Sequence, residues 1–191
     1  IVAGPVAGLN LPDLGAHVIK VESLAGDAHR NTDTTVPGES KMFQGNNRGK
    51  RGIAIDLHDA RGRAAILALV PTVDAVVVNY RPGVPERLGI DYEALRAIRP
   101  NIIYAQVSGF GETGAGAKKA GSDIVAQAHS GLMAMDGKVD EGGSPQVIGI
   151  PLADYAAGLA IAMAICAALY HRALTGEGQR ITTSLLRMGL H

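Results

Sequence analysis

Three features of the sequence predict an α/β fold built on a mainly parallel sheet. Strand-like and helix-like segments alternate along nearly the whole chain. Val73-Asp-Ala-Val-Val-Val78 is a short apolar run, the pattern of a strand covered on both faces. Residues 152–174 form an apolar stretch with no charged residue from Tyr155 to Tyr170. That run is shorter than the ~20 residues of a bilayer span and rich in Ala, so it reads as a buried core helix.

In chain order, residues 1–5 read as a strand end running into a turn at Gly4-Pro5. Residues 6–14 form a short helix, weakened in its second half by Pro12. Residues 16–22 are β-rich. Residues 23–39 hold Gly, Asp, Asn, Thr and Pro without period, a long loop of the kind that often carries function. Residues 44–52 form a polar, basic loop, and 53–57 a strand. Residues 58–70 place Ala64, Ala65, Leu67 and Ala68 at helical spacing, and Pro71 stops that helix. After the strand at 73–78 come a turn at 79–83 and short helices at 85–88 and 92–98. A strand at 102–107 runs into the Gly-rich 108–114. A helix follows at 123–135, a loop at 136–144, the long helix at 152–174 and a last strand at 179–183. Such folds bind ligands beyond the carboxyl ends of their strands. The turns at Gly4, Asn79 and Ser108 all follow strands and should share one edge.

Composition narrows the function. The chain has 191 residues, 47% hydrophobic, and a formal net charge of zero. No general attraction to nucleic acid or to an anionic membrane is expected. One cysteine, Cys166, rules out a disulfide framework and fits a reducing compartment, so a cytoplasmic location is expected. Inside the apolar helix it is expected as a small core residue. The six histidines show no metal-ligand spacing, so no metal is expected. The chain opens without Met and closes in an apolar run that has just begun, which reads as a fragment.

Asp154, in Gly149-Ile-Pro-Leu-Ala-Asp154, stands at the mouth of the long helix. Two readings are open. As an N-cap its oxygen would accept first-turn N–H groups. As an ionised carboxylate beside a hydrophobic wall and a helix N-terminus it could act as a nucleophile. Gly109-Phe-Gly-Glu-Thr-Gly114 matches the spacing of a dinucleotide loop, but loop-like residues follow it where a helix should open, and the ribose-binding acid is missing. Arg48, Lys50 and Arg51 in one loop, and Arg81 and Arg87 after a strand, could converge on a phosphorylated ligand through charge-assisted hydrogen bonds. A solvated loop is the plainer reading of the first group.

Ten stretches, taken together, resemble one family. They are Ala3-Gly-Pro5, Leu14-Gly-Ala-His-Val-Ile-Lys-Val-Glu22, Gly26-Asp27, Asn47-Arg-Gly-Lys-Arg51, Ile55-Asp-Leu57, Asn79-Tyr-Arg-Pro-Gly83, Glu86-Arg-Leu-Gly89, Ser108-Gly-Phe-Gly-Glu-Thr-Gly114, Gly131-Leu-Met133 and Thr175-Gly-Glu-Gly-Gln179. In order and spacing they are similar to the class III CoA-transferases, the formyl-CoA and carnitine CoA-transferase type, which includes α-methylacyl-CoA racemase. The resemblance implies a Rossmann-like large domain, of which residues 1–191 would be the N-terminal part, and an interlocked homodimer. It implies coenzyme A, bound as an acyl-CoA substrate, and a carboxylic acid as acceptor. It places the catalytic aspartate on Asp154 and CoA contacts on Val2, Ala3, Ile55, His58, Asn79, Tyr80, Arg81 and Arg87. Ser23 and His58 stand where basic residues are common, which should weaken phosphate contacts. The racemase variant carries a His where this chain has Ser122. A non-catalytic CoA-binding or assembly module is the alternative of another class.

Overall fold

In the computed structural model, which describes residues 2–32, 34–36 and 39–191, parallel strands pair as the alternation predicts. Among the described residues they do so in two short sheets, not one continuous one. Helix α1 (Ala3–Asp13) opens the chain, where a turn was expected. Pro5 is tolerated because it lies in the first turn, whose N–H groups have no intrahelical partners. Strand β1 (Val18–Glu22) follows. The expected loop at 23–39 contains β2 (Thr34–Val36), paired antiparallel with β3 (Glu39–Ser40). Ile1 and positions 33, 37 and 38 of that loop lie outside the described residues.

Helix α2 (Lys41–Asn47) and strand β4 (Lys50–Ala54) occupy most of the stretch expected to be a basic loop. Ser40 starts α2 by accepting the Phe43 N–H at 3.2 Å. Strand β4 begins three residues before the apolar run that predicted it and pairs parallel with β1, Val18 opposite Lys50. Its residues are mostly exposed, so backbone pairing and not burial sets its start.

The second half holds α3 (Ala60–Leu69), β5 (Ala75–Val78), α4 (Val84–Leu88), α5 (Tyr92–Ile98) and β6 (Ile103–Ser108). Helices α6 (Asp123–Ser130), α7 (Leu132–Asp136) and α8 (Leu152–Thr175) follow, then β7 (Arg180–Ser184) and α9 (Leu185–Gly189). The single helix expected at 123–135 breaks at Gly131, whose φ of 87° is left-handed. Strands β5, β6 and β7 form a parallel sheet in that order. The strand covered on both faces is therefore the central β6, buried at every position. Strand β5, expected in that role, lies at the edge and is half-buried over most of its length.

Alternation along β6 divides the core. Ile103, Ala105 and Val107 join Ala153, Ala157, Ile161 and Ile165 of α8 on one side. Tyr104 joins Val70, Val78, Leu88 and Leu95 on the other, with Leu57 and Val84 packed against them. Helix α8 is one-sided. Its Ala- and Gly-rich face meets α1 and β6, while Met163 and Tyr170 are about 70% exposed, at 72% and 69%. Cys166 falls on this outer face and is exposed, not a core residue as expected. Helix Leu152–Thr175 is long and apolar enough to cross a membrane, an 18-residue stretch of it having a mean hydropathy of 1.9.

Candidate active site

Asp154 is the third residue of α8, not its cap. Pro151 holds the cap position and offers no side-chain hydrogen bond. The half-buried Asp154 carboxylate instead lies near the backbone N–H of Ala3, at the start of α1, which favours its ionised form. A carboxylate from a different helix caps α8 from outside: Asp123 Oδ1 accepts the Asp154 N–H at 3.0 Å. Asp123 Oδ2 accepts from Gln127 Nε2 at 2.6 Å. The Gln127 side chain also donates to the carbonyls of Ile148 and Ile150, at 3.3 and 3.4 Å, and accepts the Ile148 N–H at 3.0 Å. Tyr155 Oη donates to Asn46 Oδ1 of α2 at 3.0 Å.

Burial is the main cause that pushes the Asp154 carboxyl above its usual range, and the nearby Asp123 charge adds to it. The Ala3 N–H acts the other way. The result is a half-buried carboxylate poorly solvated by water.

Helix α1 carries the Ala3 donor, and two contacts fix its place. A Cβ on Gly158 of α8 would lie 2.6 Å from Val6 Cβ and 3.0 Å from the Ala3 carbonyl, so only Gly lets the two helices approach this closely. On the other side Lys50 Nζ donates to Pro5 O at 2.7 Å, and to Asn46 O and Asn47 Oδ1 at 2.8 Å each. Burial lowers this ammonium to about 8. Three donors meeting three acceptors argue that it is held charged at neutral pH. One member of the supposed basic loop is thus a structural clasp.

The residues expected to contact CoA fall into three groups. Val2 and Ala3 are buried at the start of α1, so backbone is what they offer. Ile55 is half-buried just past β4, its N–H donating to Glu22 O at 2.8 Å, and His58 is exposed beyond it. Asn79, Tyr80, Arg81 and Arg87 are exposed between β5 and the end of α4. The first and third groups meet, since the Asn79 side chain lies 3.0 Å from where a Cβ on Gly4 would be. The second approaches the third through Leu57, which shares a core cluster with Val84 and Leu88. Asn79 and Ser108, at the carboxyl ends of the parallel β5 and β6, and Gly4 at the start of α1 lie along one edge, as expected. Among the described residues neither Arg81 nor Arg87 enters an ion pair, and both guanidiniums are free for an anionic ligand. That donor set suits the phosphates of CoA.

The model of CoA-transferase family III matches residues 1–191. This chain belongs to CoA-transferase family III. It is 40% identical over 187 residues to the probable fatty acyl-CoA transferase of Mycobacterium tuberculosis, covering 96% of this chain and 47% of that protein. It is 42% identical over 188 residues to the succinyl-CoA:glutarate CoA-transferase of Homo sapiens, covering 97% of this chain and 42% of that one. Its fold matches the crystal structure of a CaiB/BaiF family protein from Brucella suis with a TM-score of 0.93 at 42% identity, over 100% of this chain and 51% of the other. The chain spans about half the length of the curated relatives it matches.

Within this family III chain, Asp123, Gln127 and Asn46 are site-forming residues that the sequence reading did not single out. The first two carried a signal. A carboxylate and an amide at i and i+4 lie on one helix face with Ala126, a position for apolar packing. His129, about two turns beyond Ser122 along α6, is engaged by its own surroundings. Its Nδ1 lies 2.9 Å from Val125 O and its ring sits edge-on to Phe110.

Proposed function

We propose that the full-length protein transfers CoA from an acyl-CoA to a carboxylic acid, with Asp154 as the nucleophile. The observation that carries this is the half-buried Asp154 carboxylate, near the Ala3 N–H and on the edge where Asn79 lies, with Arg81 and Arg87, which enter no ion pair among the described residues, in the stretch that follows Asn79. The names of the relatives support the same class. In the proposed route the Asp154 carboxylate attacks the thioester carbonyl, and a mixed acyl–aspartyl anhydride forms as CoA thiolate leaves. The aspartyl carbonyl is then attacked by that thiolate, releasing the donor acid and leaving an aspartyl–CoA thioester. Attack by the acceptor carboxylate gives a second anhydride and frees the thiolate again. Its attack on the acceptor's acyl carbonyl yields the new acyl-CoA and restores Asp154. Thioester and anhydride are of comparable reactivity, so one difficult exchange is divided into easier ones. An interlocked homodimer belongs to the proposal, and the exposed apolar stripe of Leu159, Met163 and Tyr170 on α8 supports it.

Arg87 is assigned to the nucleotide end of CoA. Arg87→Ala should raise KM about tenfold or more, to a similar degree for every acyl-CoA, because a charge-assisted hydrogen bond made equally in ground and transition states is lost. A change confined to one acyl group would place Arg87 beside the acyl chain instead.

Transfer is tested against α-proton exchange. Racemisation needs two acid–base groups on opposite faces of the α-carbon. Ser122, beside Asp123, offers a hydroxyl far too weakly acidic to ionise near neutral pH. The full-length protein, incubated with a 2-methylacyl-CoA in D₂O, is expected to give no enzyme-dependent α-deuterium, while a screen of acyl-CoA donors and acids gives transfer. Deuterium at the α-carbon that disappears in Asp154→Ala would establish the racemase in its place.

A further inference from the structure

Asp123 is 6% exposed and Gln127 1% exposed. Among the described residues no cation pairs with Asp123. A buried carboxylate is costly unless its lone pairs are satisfied. Here they are met by two donors, the Asp154 N–H and Gln127 Nε2. Both belong to the surroundings of Asp154. Gln127 in turn grips Ile148 and Ile150, in the segment that leads into α8. The pair therefore binds the approach to α8 and its first turn at once, while α8 has no side-chain cap of its own. The Ala3 N–H lies near the Asp154 carboxylate that this first turn carries.

We infer that Asp123 and Gln127 are positioning residues for the transfer reaction: a buried bracket, reaching from α6 to the first turn of α8, that sets the Asp154 carboxylate against the Ala3 N–H. The inference rests on the reading of Asp154 as nucleophile. Its physical content is that the two side chains act on the geometry of the reacting carboxylate and not on the hold over CoA. Displacing a reacting group by about 1 Å costs on the order of 100-fold in rate even when binding is intact.

The test uses the full-length protein. Asp123→Ala removes the acceptor for the Asp154 N–H and is expected to lower kcat about 30–100-fold, with KM for acyl-CoA within about twofold of the wild type. Asp123→Asn keeps an oxygen toward that N–H but turns its amide on the amide of Gln127, and should recover kcat to within about tenfold of the wild type. Gln127→Leu keeps the bulk, frees Asp123 and Ile148, and should lower kcat about tenfold, again without a change in KM. Should Asp123→Ala fail to fold, the other two variants carry the same split. Wild-type kcat in Asp123→Asn and Gln127→Leu, or losses appearing in KM alone, would overturn the inference. So would equal losses in Asp123→Ala and Asp123→Asn, since rescue by the retained oxygen is its signature. Asp154→Ala, run alongside, separates the two levels. If it retains turnover, the nucleophile reading itself fails. If it is inactive while the bracket variants keep full kcat, only the bracket fails.

Discussion

Asp154→Asn is expected to abolish CoA transfer, by about 10⁴-fold or more, while leaving the melting temperature at pH 7 unchanged or raised. The two halves have one cause. Asn keeps an oxygen that can accept the Ala3 N–H, but it cannot attack a thioester carbonyl and leave as a carboxylate. Burial, with the Asp123 charge, raises the folded-state carboxyl above the ordinary 3.8. Between the ordinary and the raised value the folded protein holds more protons than the unfolded chain. The stability tied to this group is therefore full below the ordinary value and is lost as pH rises through the raised one. At neutral pH the ionised carboxylate opposes folding, and the amide relieves it. Activity, which needs the ionised form, should fall on the acid side with a midpoint above 3.8. Thermal melts of both proteins against pH, beside a transfer assay, check this. An N-cap would behave oppositely, its loss costing about 1 kcal/mol. A clear fall in melting temperature at pH 7 would therefore contradict the account of a carboxylate held for chemistry.

Gly158→Val should be the most disruptive single change away from the chemistry. The added Cβ alone would meet Val6 Cβ and Cγ1 at 2.6 Å, and neither atom is the end of a long, yielding side chain. Forcing α1 from α8 should cost about 3 kcal/mol, the upper end for overpacking. It should also carry the Ala3 N–H away from Asp154, so that kcat falls in molecules that remain folded. Chemical denaturation and transfer kinetics of the full-length variant measure the two effects. Gly45→Ala is the control, since a Cβ there meets nothing within 4 Å inside α2. A Gly158→Val protein with wild-type stability would show that the contact between α1 and α8 is looser than described.

The elements legible in the sequence were those with a local cause. Helix α8 announced itself by its Ala-rich run, and the parallel sheet by β-rich stretches separated by helical ones. The one-edge placement of Asn79 and Ser108 followed from parallel topology, whereas Gly4 reaches that edge from a helix and not from a strand. What was not legible depends on partners distant in sequence. Strand β4 starts at Lys50 because β1 pairs with it, although the apolar run begins at Ile53. Strand β5 carries the more apolar sequence, but β6 lies between two neighbours, which only the strand order decides. Cys166 sits in an apolar helix yet faces outward, because α8 packs on one side only. Asp154 was found by its position before the long helix, but as one of two readings. Its surroundings were not legible, because they involve the start of α1 at the far end of the chain and Asp123, 31 residues before it. Lys50 belonged to a run of positive charge that reads most plainly as a solvated loop and otherwise as a ligand site, and its three acceptors show a structural clasp instead.

The central claim, that Asp154 becomes covalently attached during transfer, is tested most directly by mass spectrometry of the full-length protein quenched during turnover with an acyl-CoA. The peptide containing Asp154 should gain the mass of the acyl group or of CoA, with the modification on Asp154 and absent from Asp154→Asn. Rapid transfer with that peptide unmodified at every quench time, or an adduct on a different residue that persists in Asp154→Asn, would contradict it.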